Sequence, residues 1–128
     1  MFKLLKIENG RINVPEPEML TLGADMSEGT VCVISGGVLT LAGATAKPTH
    51  VTLGAGKSGE AVSCGRITPD HVFEVPISVA PTTSCKIGVK LTTANGTQVT
   101  ATTTDGVATI VSLNGASVAG DKVLVRFE

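Results

Sequence analysis

The sequence predicts an all-β fold: a small barrel or sandwich with a second, C-terminal β unit. Three observations predict it. Short runs alternate apolar and polar residues, the period of a half-buried strand. Glycine-bearing pairs punctuate them at Gly36-Gly37, Asn95-Gly96, Asp105-Gly106 and Asn114-Gly115, and such pairs accept the positive φ angles of tight hairpins. No segment shows a 3.6-residue apolar period; only residues 24–29 have room for a helical turn.

The elements follow in order. Phe2, Leu4, Leu5 and Ile7 make a short first run, and Gly10 to Val14, with Ile12 and Val14 on one side, a second. "PEPE" at 15–18 stops regular pairing, because proline lacks an amide donor. Residues 1–20 therefore read as an N-terminal arm or edge strand. Thr30–Ile34 and Val38–Ala42 are strands joined across Gly36-Gly37. His50–Leu53 and Glu60–Ile67 are further strands. His71–Val79 turns His71, Phe73, Val75, Ile77 and Val79 one way and Glu74 and Ser78 the other, while Pro76 marks an edge or a bulge. These strands make a small β-barrel over 21–80.

"APTTS" at 80–84 resembles a linker. Beyond it Ile87, Val89 and Leu91 alternate with Lys86, Gly88 and Lys90, and the chain closes on Val123, Val125 and Phe127 against Lys122, Arg126 and Glu128. Turn signals about ten residues apart suit a meander. Residues 81–128 thus form the C-terminal β unit, which can pack on the first. "GTVCVISGGVLTLAG" is echoed in composition by "GVATIVSLNGASVAG".

Composition bounds the function. Apolar residues at 42% against 16% charged exclude a disordered chain. A net charge of −1 gives no attraction to nucleic acid or to an anionic membrane. With three Phe and neither Trp nor Tyr, stacking platforms for bases or sugars are nearly absent. No apolar stretch approaches the ~20 residues of a membrane span, and the apolar N-terminal run is too short for a signal peptide. The expectation is a protein made in a reducing cytoplasm.

"GAGKSG" at 54–59 looks like a phosphate loop. Such a loop needs a glycine five residues before its Gly-Lys-Ser and a helix after it. Val51 stands where that glycine belongs, and EAVSCGRI reads as a strand. The loop is therefore a flexible turn that Lys57 keeps solvated. His50, His71, Cys32, Cys64 and Cys85 match no metal-ligand spacing, and the odd cysteines form no disulfide framework. Free cysteines in this setting behave as small buried hydrophobes. Asp70-His71 reads as a turn before a strand, not part of a nucleophilic triad. Asn95-Gly96-Thr97, an acceptor pattern for glycosylation, is a hairpin tip. The threonines of "TTANGTQVTATTT" at 92–104 suit a solvent-facing hairpin. No catalytic, metal-binding or cofactor-binding residue is expected, and no enzyme.

The layout carries the remaining signal. "GTVCVISGGVLTLAGATAKPTHVTLGAGKSGEAVSCGRI" sets a glycine-capped strand, a hairpin, a loop with Pro-Thr-His, and a Ser-Gly-Glu turn into a strand. Ala119-Gly120-Asp121 then leads into the apolar strand Lys122–Val125. Over residues 26–79, and more loosely 84–128, this resembles the small β-barrel head-decoration, or capsid-auxiliary, proteins of tailed phages. The resemblance implies a structural virion protein that binds and stabilises the outer capsid surface. It implies the major capsid protein as partner, a homo-oligomer such as a trimer, and an N-terminal arm that orders on the capsid. Phe2, Leu4, Leu5 and Ile7 are the capsid-contact candidates. The chain departs from that family in lacking Trp and Tyr and in its larger C-terminal part. The alternative is a tail, fibre or adhesin β module that binds a host surface through threonine-rich hairpin tips.

Overall fold

The computed structural model describes residues 1–7 and 17–128. The Gly10–Val14 run and the first half of "PEPE" lie outside them. The described residues contain no helix, and twelve strands run through them in chain order. They are β1 (Lys3–Ile7), β2 (Pro17–Thr21), β3 (Val31–Ser35), β4 (Val38–Leu41), β5 (His50–Thr52), β6 (Ala61–Arg66), β7 (His71–Pro76), β8 (Lys90–Leu91), β9 (Thr93–Ala94), β10 (Gln98–Val99), β11 (Ala108–Ser112) and β12 (Lys122–Arg126). The expected all-β class is what forms.

Two five-stranded sheets face one another. One has the order β1-β7-β12-β11-β8 and the other β2-β6-β5-β3-β4. All strand pairs within them are antiparallel. Neither sheet is a closed barrel. The second comes nearest to closure: Leu22, just past β2, meets Leu39 of β4 in a single parallel bridge, and Gly23 N donates to Leu39 O at 2.7 Å. One bridge is not a ladder, so this sheet curls without sealing. Inside the curl lies a small core of Leu22, Met26, Cys32, Leu39, Val62 and Cys64.

The main core lies between the sheets. Phe73, Val75, Val123 and Val125 from one meet Val31, Ala42 and Val51 from the other. All three phenylalanines of the chain converge there. Phe2 and Phe73 have ring centroids 6.2 Å apart in an edge-on arrangement, Phe2 and Phe127 5.5 Å, and Phe73 and Phe127 5.8 Å. Aromatic pairs at such spacings prefer edge-on or offset geometry, because the ring faces carry negative charge and the edges positive.

The small β9–β10 hairpin stitches the sheets together. Val31 N donates to Gly96 O, Thr93 N to Ala44 O and Ser78 N to Val99 O. Asn95 (φ 52°) and Gly96 (φ 68°) both take positive φ, and Thr97 N closes the turn on Ala94 O. This is the primed turn that Asn-Gly favours. Because the hairpin sits between sheets, Thr92 and Thr93 are buried, against the expectation of a solvent-facing array. Burial is tolerated because the Thr92 and Thr100 hydroxyls bond each other at 2.6 Å and Thr93 Oγ1 donates to Gly43 O.

Local expectations and longer-range pairing diverge in three more places. β3 and β4 form the expected hairpin across Gly36-Gly37, with Ser35 opposite Val38. Pro17, however, opens β2 opposite Gly65, so "PEPE" does not end pairing at residue 17. Proline is tolerated as the first residue of an edge strand. Pro76 lies in a central strand rather than at an edge. β1 pairs with β7 only as far as Glu74, while Ile77 N donates across to Asp121 O on the other side. The donor that Pro76 lacks would face the side where β1 has already ended. The pairing of β7 with β12 also joins residues 71–76 to residues 122–126 in one sheet, across the expected boundary near 80.

Gly106 is needed for a steric reason. A Cβ there would sit 2.1 Å from Lys90 O and 2.4 Å from Lys90 C, both backbone atoms. Gly115 has open space but a φ of +76°. Gly106→Ala should therefore lose roughly 2–3 kcal/mol, the range of overpacking that must move backbone. Gly115→Ala should lose only about 1 kcal/mol, the left-handed penalty. Urea unfolding followed by far-UV circular dichroism checks the order; equal losses would contradict it.

Candidate functional site

The "GAGKSG" loop forms no phosphate cradle. Its amides already have acceptors from this chain: Lys57 N donates to Glu60 Oε1 at 2.6 Å, and Ser58 N to Asp25 Oδ1 at 2.9 Å. Met26 and Gly56 exchange both backbone bonds, and Gly59 N donates to Leu22 O. A phosphate would have to displace two carboxylates and meet their charge. The loop is a structural clasp beside the small core.

The three cysteines are free and buried. Cys32 Sγ lies 3.4 Å from Met26 Sδ. Burial first, and then the neighbouring Cys64, push the Cys32 thiol up to about 12. Cys64 is raised too, by burial and then by Glu18. A thiol that holds its proton so firmly is a poor nucleophile at neutral pH. No group of three His, Cys, Asp or Glu side chains among the described residues is placed to hold a metal ion.

The polar residues that the fold does gather lie on one face of the curled sheet. Register sets His50 opposite both Cys32 and Arg66, and Glu18 opposite Cys64. Arg66 Nε donates to Glu18 Oε1 at 3.1 Å, and Nη2 lies 3.0 Å from the same oxygen in an ion pair. His50 is buried, with Nδ1 sharing a 2.9 Å hydrogen bond with Thr49 Oγ1. Its Nε2 stands 3.5 Å from Glu18 Oε1 and has no hydrogen-bond partner. In front of this group, across the ends of β3, β5 and β6, opens a cleft of about 580 Å³. Val33, Ile34, Pro48 and Ile67 line it together with Lys47, Thr49, His50 and Arg66.

No family model matches the chain, and no curated protein matches it.

The four expected contact residues have different fates. Phe2 is buried in the aromatic cluster and is a core residue of this chain. Leu4 is half-buried against the same core, Ile7 is half-buried, and Leu5 is exposed. Reading the sequence singled out His50 but missed Glu18, Lys47 and Arg66. Alternation within each strand places these residues on faces, but only strand register brings them together, and register is not a local property.

Asp70 and His71 form the turn and strand start expected of them. Thr68 Oγ1 donates to Asp70 Oδ1, and that bond leads the effects holding the Asp70 carboxyl below its usual range. His71 is buried against Phe73, 6.2 Å between centroids. Burial lowers its pKa, opposed by the Asp70 charge. The fold thus prefers neutral His71. Its contribution is fully present above the ordinary value of about 6.5 and is lost as pH falls through the lower folded value. The urea midpoint should therefore fall between pH 7 and pH 5, and fall less in His71→Gln. An identical fall in the variant would contradict this. Cys32 should resist iodoacetamide in the native protein at pH 8 and react after unfolding in guanidinium; peptide mass mapping reads the site.

Proposed function

We propose that the protein is a structural virion component, a head-decoration protein bound in many copies to the outside of a phage or prophage capsid. The observation that carries this reading is the placement of large apolar side chains on the surface of a body that already has two cores. Ile34 and Leu41 are 50% and 45% exposed, and the pairing of Cys32 with Leu41 and of Ile34 with Leu39 sets them on one face of the β3–β4 hairpin. Met19 on β2 and Leu5 on β1 are exposed as well. The layout resemblance to capsid-auxiliary proteins supports the same reading.

Contact with the major capsid protein would bury these side chains at roughly 25 cal/mol per Å² of apolar surface. Repetition over a symmetric shell, or within a homotrimer, raises the effective strength of weak individual sites. Phe2 is committed to the core, so docking falls to exposed residues, Leu5 among the four contact candidates. β1 adds to the chain's own sheet, and its capsid-facing role would be through side chains rather than through a free arm.

Quantitative mass spectrometry on particles pelleted from an induced culture of the source organism tests this. The expected result is a ratio near one copy per capsid subunit. A few copies per particle would move the protein to the tail or a fibre, and complete absence would remove it from the virion.

A further inference from the structure

We propose that the cleft across the ends of β3, β5 and β6 binds a small anionic amphiphile, a carboxylate or phosphate-ester head on a short apolar body. The assignment stands apart from the virion reading, since it concerns the isolated chain.

The cleft is divided by chemistry. Val33, Ile34, Pro48 and Ile67 give it an apolar part; Lys47 and Arg66, with Thr49 and His50, give it a polar one. Its volume of about 580 Å³ is that of a small-molecule site. Among the described residues, both lining side chains with a fixed charge are cationic, and no carboxylate lines the cleft. That composition selects against a divalent cation, which needs oxygen ligands. It also gives a nucleobase no aromatic face, because the three phenylalanines are stacked on one another in the main core.

The cations are arranged for an incoming anion. Glu18 holds Arg66 through Nε and Nη2, which orients the guanidinium and leaves Nη1 out of that pair. Lys47 is exposed and has no ion pair among the described residues. Behind them His50 is 3% exposed, and its Nε2 is unpartnered at 3.5 Å from Glu18 Oε1. An anion that draws Arg66 toward itself loosens Glu18 from the guanidinium and gives it to His50 Nε2. The imidazole is therefore a built-in reporter of occupancy.

The test is a titration of the ¹⁵N-labelled full chain with octanoate, octyl phosphate, octanol and acetate, followed by amide and imidazole nitrogen shifts. We expect at least one of octanoate and octyl phosphate to saturate, with shifts at residues 33–34, 47–50 and 66–67 and at His50 Nε2. The better probe should bind at least about tenfold more tightly than octanol or acetate, a difference that isolates the need for both head and body. Preference for octanoate assigns a carboxylate head, and preference for octyl phosphate a phosphate ester. Lys47→Met, a change at an exposed side chain, should weaken binding about fivefold, as loss of one of two cations predicts. The proposal is overturned if neither anion saturates below about 5 mM, if octanol binds as well, if the shifts map elsewhere, or if Lys47→Met binds unchanged.

Discussion

The packing of Phe2, Phe73 and Phe127 on one another is the constraint on which the rest depends. With no Trp or Tyr, these three rings are the only large aromatic surfaces the chain possesses, and each is fully buried. They come from the residue before β1, the middle of β7 and the residue after β12. Bringing them together fixes the sheet order β1-β7-β12 and so unites the two ends of the sequence. The second sheet is positioned against this cluster by Val31 and Val51 and held by the β9–β10 hairpin. Aliphatic residues, valine most of all, fill the remaining core, so the aromatic cluster supplies its largest side chains. Truncating such a ring typically removes about 3–5 kcal/mol, a large share of a small domain's stability.

What could be read from the sequence was what is local. Gly36-Gly37, Asn95-Gly96 and Asn114-Gly115 make turns with positive φ where their residue types require them. The alternation of His71, Phe73, Val75 and Ile77 marks one buried face of β7. The reading failed where a distant partner decides. Pro76 suggests an edge until β1 is seen to stop short of it. Thr92 and Thr93 look solvent-facing until Gly43 and Thr100 supply their partners. Phe2 looks like a free anchor until Phe127 meets it. The candidate site followed the same rule, because Glu18, His50 and Arg66 are far apart in the chain and adjacent only through the β2–β6 and β5–β6 registers.

The glycine-rich loop illustrates why a motif has to be judged by its donors. Residues 54–59 have the right composition for a phosphate cradle, and two of their amides do point at anionic oxygens. Those oxygens belong to Asp25 and Glu60. Meanwhile Lys47, with no ion pair among the described residues, and Arg66 line a cleft that no short motif advertises.

The union of β1 with the C-terminal strands has a kinetic side. Phe2 cannot complete its native contacts until residue 127 has been synthesised, and β7 lacks β12 until then. The curled sheet, built within residues 17–66, has all its strands much earlier. Pairings between such distant residues are slow to form, because loop closure precedes the contacts that reward it. A nascent chain would therefore present β7 with an unpaired flank, the kind of edge that invites association with other chains. Completion of the last strand is the step that withdraws it.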